Sequence, residues 1–384
     1  MKRNRLLAIL SALSVMISLS FGIQSAAAAN PNCNEVDGDY IVSFTKNVNS
    51  QAEMRSAPGR AIAPAFVYDS VLNGFAASLT AEQVCAFKKR PNIEFVEADQ
   101  SVQMVGNQTL SSDNSIWGLD RVDQRNLTLN LTYSYTSLGN GIKVYVVDTG
   151  IRKTHQDFGG RVLSGYSAIK SSSSTDDCNG HGTHVSGTIA GSTFGIAKNA
   201  NLVPVRVLGC NGSGTNSGVI AGLNWIAKNS QSNLSVVNMS LGGGASSTLD
   251  SAVNNLIGKG VVVVVAAGNS TADACTSSPA RVPNAITVAA SDVSDNFAYF
   301  SNFGTCVDVI APGVNITSDS NKSDVGTAVM SGTSMASPHV AGAVARYLSV
   351  GLNSGALLAN STLGSIQNTP SGTVNKLLYL DPSK

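Results

Sequence analysis

An α/β fold with a parallel sheet covered by helices on both faces, preceded by a small α+β unit, is predicted by three features of the sequence. Between residues 142 and 267, short apolar runs alternate with segments of helical periodicity, the pattern of successive strand–helix units. The runs are apolar almost throughout rather than at every second position, as strands covered on both faces must be. Ahead of them, from Asp39 to Gln100, alternating strands and one capped helix make a separate, shorter pattern. The composition agrees. The chain has 384 residues, 43% hydrophobic and only 13% charged, with 25 Lys and Arg against 24 Asp and Glu for a net charge of +1. This suits a globular chain of about two domains and excludes a disordered tail or a cationic nucleic-acid coat. No heptad or short repeat is present, which excludes coiled coils and solenoids.

The elements follow in order. Residues 1–29 have the layout of a signal peptide: Lys2, Arg3 and Arg5, then an apolar run from Leu6 to Ile23, then the small residues Ser25 to Ala29. A membrane anchor is the competing reading. The run is short and has no basic stop behind it, and no later segment reaches the roughly 18 apolar residues of a spanning helix. Export to the extracellular side is therefore expected. In that oxidising setting the six cysteines read as disulfides, and sequential pairing is the simplest of many arrangements.

Residues 30–110 form the small unit. Tyr40 to Phe44 and Ile93 to Glu97 alternate as strands. Thr80-Ala81-Glu82-Gln83 is a capping box opening a helix over Val84 to Lys89, which Pro91 stops. Met104 to Asn114 is polar and reads as an exposed linker open to cleavage. The large unit spans residues 111–384. Strands are predicted at Ile142–Val147, Leu202–Leu208, Val236–Met239 and Val261–Ala267. Helices are predicted through Val185–Ile189, Ser217–Ala227 and Leu249–Ile257. In such sheets chemistry gathers beyond the carboxyl ends of the strands.

Three segments at those positions carry reactive groups. Lys143 to Gly150 ends an apolar strand with Asp148, a carboxylate that is costly there unless a cation or several donors meet it. Asn179-Gly180-His181-Gly182-Thr183-His184 places a histidine between glycines at a helix start. A His181–His184 metal pair is the rival reading, but no third ligand or nearby Glu accompanies it. Ser331-Gly332-Thr333-Ser334-Met335-Ala336 places Ser334 at the start of a small-residue helix, whose N-terminal N–H groups suit an oxyanion. Read singly, these are a loop carboxylate, a structural histidine and a helix cap. His155 and His339 are read as structural.

Together, in the order Asp, His, Ser with glycine around each, the three resemble the subtilisin-like serine proteases, and within them the proteinase K subfamily. The resemblance runs from about Trp117 to Tyr379 and includes Trp117 to Gln124, Asn238 to Gly244 and Val264 to Asn269. It implies a subtilisin-like catalytic domain acting as a secreted serine endopeptidase. Ser334 would be nucleophile, His181 general base, Asp148 its orienting carboxylate and Asn269 an oxyanion donor with the Ser334 N–H. Gly212, Ser213 and Gly214 resemble one edge of the substrate cleft, and Ser240, Leu241 and Gly242 the other. Ala266, Ala267 and Gly268 resemble the floor of the first specificity pocket. Small residues there imply broad specificity biased to large apolar or aromatic side chains. Asn216 stands where some relatives carry an aromatic residue over the fourth pocket.

The resemblance also implies structural Ca²⁺. One site would use Asp308 with the carbonyls of Pro283 and Ala285. The other would use Asp120, Asp123 and Gln124, with Asn130 and Thr132 as further oxygens. It supports the pairs Cys178–Cys210 and Cys275–Cys306, leaving Cys33 with Cys85. The small unit resembles the ferredoxin-like inhibitory propeptide of these enzymes, its tail near Gln100 to Asn107 lying in the cleft until self-cleavage between about Val105 and Asn114. Expected partners are protein and peptide substrates and the chain's own propeptide, with no nucleic acid, no membrane once the leader is removed, no organic cofactor, and a monomeric state. Two other classes compete. A non-catalytic secreted binding protein on the same fold is disfavoured by the intact Asp148, His181, Asn269 and Ser334. An α/β-hydrolase esterase would need Gly where Ala336 stands, and a different chain order of the three groups.

Overall fold

A computed structural model of the chain describes residues 34–45, 47–68, 73–99, 106–113, 115–169 and 172–383. The expected signal segment, Cys33 and most of the tail expected in the cleft lie outside the described residues. The chain divides into two compact units, residues 1–103 and 104–384.

The small unit runs β1 (Gly38–Phe44), α1 (Ser50–Arg55), β2 (Phe66–Tyr68), β3 (Asn73–Leu79), α2 (Ala81–Lys88) and β4 (Ile93–Ala98). Its sheet is antiparallel in the order β2-β3-β1-β4. Tyr40, Val42 and Phe44 alternate inward along β1. Phe44, Phe75 and Phe87 meet at centroid distances of 6.0, 6.3 and 5.6 Å, geometry that rings favour. Both halves of the Thr80–Gln83 capping box form.

In the large unit, β5 (Gly106–Thr109) pairs with β6 (Thr132–Tyr135), and α3 (Trp117–Val122) lies between them in sequence. A nine-stranded sheet follows. It contains β7 (Lys143–Asp148), β8 (Tyr166–Ser167), β9 (Asn201–Arg206), β10 (Ser235–Met239), β12 (Val262–Ala266), β14 (Ile286–Ser291), β15 (Val309–Pro312), β18 (Thr362–Leu363) and β19 (Lys376–Leu377). Their order is β18-β19-β15-β14-β12-β10-β7-β9-β8, parallel except for β18 against β19. Two short ribbons complete it: β11 (Gly243–Gly244) with β13 (Ser277–Ser278), and β16 (Ile316–Asp319) with β17 (Thr327–Met330). The carboxyl ends of the parallel strands lie at one rim, and the helix starts that carry the candidate groups follow from there.

The pleat of the central strands sorts their side chains into two cores. Val144, Val146, Val236, Val264 and Val288 pack under α4 (His181–Ala190) and α7 (Thr333–Ser349). Tyr145, Val147, Val237, Met239, Val263 and Val265 pack under α5 (Asn216–Asn229) and α6 (Ser247–Ile257). This is why β7 and β10 read as continuous apolar runs. In α7, every residue from Thr333 to Tyr347 except Ser334 is buried, and α8 (Ser354–Asn360) packs against it. Cys178 is bonded to Cys210 and Cys275 to Cys306, the pairs the resemblance implied. The expected Cys33–Cys85 bridge involves a residue outside the described ones. Among the described residues no helix is long and apolar enough to cross a membrane.

Candidate active site

Asp148 closes β7 with its side chain fully buried. His181 opens α4, and its Nδ1–H donates to Asp148 Oδ1 at 2.8 Å, with Oδ2 at 3.0 Å. The Thr149 N–H also donates to Oδ1, at 2.7 Å. The charge that looked costly in the strand thus has its partners. Helix and strand come this close because residue 182 is glycine: a Cβ there would stand 2.2 Å from the Gly150 carbonyl oxygen. Burial works to lower the His181 pKa. The Asp148 charge and hydrogen bond, aided by the Asp177 charge, outweigh it and hold the imidazole above its ordinary value. His184, buried one turn on, pairs through Nε2 with the Ile316 carbonyl at 2.9 Å and is pushed down to about 4 by burial. His155 and His339 are buried too.

Ser334 lies in the first turn of α7. Its Oγ–H donates to the Ser240 carbonyl at 3.2 Å, not to His181. Its own carbonyl would ordinarily accept from residue 338, but Pro338 has no N–H. The freed oxygen accepts instead from Ser240 Oγ at 2.8 Å. Asn238 Nδ2 donates to that hydroxyl at 2.9 Å, and Asn238 Oδ1 accepts from Ser337 Oγ at 2.7 Å. A buried polar chain therefore fixes the start of α7 against the end of β10.

Asn269 follows β12. Its Oδ1 accepts from the Thr333 N–H at 2.8 Å and Oγ1–H at 2.9 Å, which leaves Nδ2 directed the other way. A Cβ built at Gly332 would stand 3.3 Å from Asn269 Nδ2 and 3.6 Å from the Ser334 nitrogen. The Asn269 amide and the Ser334 nitrogen thus both lie close to the side of Gly332 that a side chain would occupy. Gly268 has φ +107°, and a Cβ there would meet Asn302 Nδ2 at 2.4 Å, so glycine is required by both conformation and room.

Two adjoining hollows flank these groups. One, of about 420 Å³, is lined by His181, Gly212 to Asn216, Ser240 to Gly243 and, at its apolar base, Leu208, Val219 and Leu249. The other, of about 360 Å³, is lined by Leu241 to Gly244, Ala266 to Ser270, Ala280, Thr333 and Ser334. The strips Asn211–Ser217 and Gly242–Ala245 are exposed. Gly243 and Gly244 pair with β13 along one edge, and Asn216 and Ser217 open α5.

The expected cation ligands separate into two places. Asp120 Oδ1 accepts from Gln124 Nε2 at 3.1 Å and the Asn130 N–H at 3.1 Å, and Oδ2 from the Leu131 N–H at 2.7 Å. Asp123 Oδ2 accepts from the Ser134 N–H at 2.6 Å, while its Oδ1 is buried without a partner. Burial pushes this carboxyl up to about 7; the Ser134 N–H opposes and the Asp120 charge adds to the rise. The Asn130 side-chain oxygen accepts from the Thr132 N–H at 2.9 Å. Asp308 Oδ2 accepts from the Thr287 N–H at 2.8 Å; Ala285 is buried nearby in sequence and Pro283 is exposed. Among the described residues no group of three or more His, Cys, Asp or Glu is placed to hold a metal.

Several contributors escaped the sequence reading. Asp177 is buried and accepts five hydrogen bonds around the start of α4. Asn302 donates to the Ala267 carbonyl at 2.9 Å and accepts from the Ser270 and Ala272 N–H groups at 2.9 and 3.0 Å, fixing the turn that carries Asn269. Its only sequence signal was an Asn in a polar loop.

Residues 139–370 match the model of the Subtilase family, and residues 39–105 match that of the peptidase inhibitor I9 family. The chain is 50% identical over 319 residues to an extracellular serine proteinase of Thermus sp. (strain Rt41A), covering 82% of this chain and 77% of that protein. It is 48% identical over 321 residues to an alkaline serine exoprotease A of Vibrio alginolyticus, covering 82% of this chain but 59% of that longer protein. The crystal structure of a cold adapted subtilisin-like serine proteinase superposes with a TM-score of 0.67 at 52% identity, covering 69% of this chain and 98% of that one. With a family match over most of the large unit, and half-identical relatives spanning four-fifths of the sequence, this chain belongs to the Subtilase family of serine peptidases.

Proposed function

We propose that the chain is a secreted serine endopeptidase, made as a zymogen, in which Asp148, His181 and Ser334 are the catalytic triad. The observation that carries this is the imidazole of His181 on the buried Asp148 carboxylate at 2.8 Å. Ser334 and Asn269 line the hollow that shares Leu241 to Gly243 with the one holding His181.

In the reaction the Ser334 hydroxyl leaves the Ser240 carbonyl and passes its proton to His181 Nε2 as Oγ attacks the substrate carbonyl carbon. The new oxyanion occupies the space beside Gly332 and takes N–H bonds from Asn269 Nδ2 and the Ser334 backbone. Such donors act where charge develops. The C–N bond then breaks, and His181 returns its proton to the leaving amine. Water, deprotonated by the same imidazole, hydrolyses the acyl-enzyme and restores Ser334. Asp148 holds the Nδ1–H tautomer and balances the imidazolium.

Substrate lies as a strand between Gly212–Gly214 and Ser240–Gly242. The small floor of Ala266, Ala267 and Gly268 admits large apolar or aromatic side chains. The I9 domain acts as the intramolecular inhibitor until the linker is cut. Asp120, Asp123 and Gln124 would hold Ca²⁺: the unpartnered Asp123 Oδ1 beside a second carboxylate fits a hard divalent cation. A second ion on Asp308 with the Pro283 and Ala285 carbonyls follows the family pattern. When bound, calcium supplies charge compensation and local rigidity and takes no part in the chemistry.

The test is mass spectrometry of the chain, after it has been left to process itself, following reaction with a serine-directed phosphonate, alongside hydrolysis of a chromogenic peptide. Labelling at Ser334 and a loss of at least about 1,000-fold in Ser334→Ala are expected. Labelling elsewhere, or retained hydrolysis, would overturn the reading.

A further inference from the structure

His181 is the first residue of α4, a helix of 10 residues, and so sits at the positive end of the helix dipole. During turnover this imidazole must carry a proton. A cation at a helix N-terminus is disfavoured, so something must compensate. The helix has no side-chain cap at its N-cap position, Gly180. Asn179 Oδ1 accepts from the His181 N–H at 3.2 Å, and Asp177, three residues before Gly180, takes the donors around it. Its Oδ1 accepts from the Gly180 N–H at 2.8 Å, the Asn179 N–H at 2.9 Å and Thr149 Oγ1–H at 2.8 Å. Its Oδ2 accepts from the Thr183 N–H at 2.9 Å and Thr183 Oγ1–H at 2.7 Å. Five donors converge on one buried carboxylate, the arrangement that suits its charged form.

Its partners reach both sides of the proposed proton path. Thr149 adjoins Asp148, and its Oγ1 accepts from the Gly182 N–H at 2.9 Å. The Arg152 N–H donates to Thr183 Oγ1 at 3.0 Å. We infer that Asp177 is a positioning residue for the proposed triad: it ties the end of β7 to the start of α4 and adds, behind Asp148, a second anion at the helix end where His181 holds its proton. This rests on the serine-protease reading above. The other ionisable groups facing this end are Asp148, His184, Asp176, Arg152 and Arg206. Burial keeps His184 neutral near pH 7. Arg152 is paired with Asp324 at 2.7 Å, and Arg206 donates to the Ser174 carbonyl and approaches Cys178 Sγ.

The test is the pH profile of kcat/KM on a chromogenic peptide, per active site titrated with phosphonate, using the mature enzyme and its Asp177→Asn variant. Removal of the charge is expected to move the acid-limb midpoint down by about half a unit, the size of a helix-end charge interaction. kcat should fall roughly tenfold with little change in KM. Asn179→Asp, which adds a carboxylate at the same helix end, should move the midpoint up, and it tests the charge even if Asp177→Asn fails to fold. An unmoved midpoint in a folded Asp177→Asn variant, or in Asn179→Asp, overturns the inference. Absence of phosphonate labelling in the parent enzyme would instead fail the underlying reading.

Discussion

Replacing Asp319 with asparagine is expected to strengthen the large unit at alkaline pH. Asp319 ends β16 with its side chain fully buried, and neither carboxylate oxygen has a hydrogen-bond partner. His155 Nδ1 is 3.6 Å from Oδ1. Asp157 is close by but spends its own oxygens on the Thr193 N–H and Oγ1–H. Burial pushes the Asp319 carboxyl from 3.8 up to about 8; the Asp157 charge and side chain add to the rise and Arg161 opposes it. The group is therefore a neutral acid in the folded protein near pH 7. Its contribution to stability is complete below about pH 3.8 and is lost progressively as pH rises to about 8. At about 1.4 kcal/mol per unit the ceiling is about 6 kcal/mol; water entry and local relaxation reduce the expectation to about 2 kcal/mol. The amide introduced by Asp319→Asn keeps the shape, can donate to Asp157 and cannot ionise. The assay is urea unfolding of the Ser334→Ala chain, which removes self-digestion, with and without Asp319→Asn at fixed calcium between pH 4 and 9. The gap should widen in favour of the variant up to about pH 8 and then level. A gap independent of pH would refute the reasoning.

Two further outcomes follow from the same geometry. Gly332→Ala places a methyl 3.3 Å from Asn269 Nδ2 and 3.6 Å from the Ser334 nitrogen; kcat should fall about 100-fold, as when one oxyanion donor is lost, while the yield of folded protein, read by circular dichroism, stays near that of the parent. Removing calcium with a chelator should lower the melting temperature, and Asp123→Asn should abolish the part of that response due to its own site, worth roughly 2–3 kcal/mol at a hundredfold excess over Kd; an unchanged response would remove Asp123 from the site.

The candidate groups were legible where local chemistry marked them. Asp148 stood out as a charge ending an apolar run, His181 as a histidine between glycines, and Ser334 as a hydroxyl at a helix start. The parallel sheet was legible because β7, β10 and β12 face two cores and so lack alternation. β14, β15 and the β16–β17 ribbon were not singled out, because runs such as ITVAAS and ITSD are short and rich in small or polar residues. Asp177 and Asn302 work through backbone groups, and nothing in their own strings reports those bonds. The link between Ser240 and Ser334 joins positions 94 apart in sequence. It exists because a proline four residues further along α7 vacates a carbonyl, which no window of sequence around either serine displays.

The sorting of the helices onto two faces has an evolutionary consequence. α4 and α7, which begin with His181 and beside Ser334, share one core, whereas α5, which begins within one exposed strip, and α6, which begins just after the other, share the second. On the proposed reading, the groups that break bonds and those that grip substrate thus belong to separate storeys of one building. Under that reading, drift in the storey beneath α5 and α6 would retune which peptides are held, and how firmly, while the cutting groups stay level.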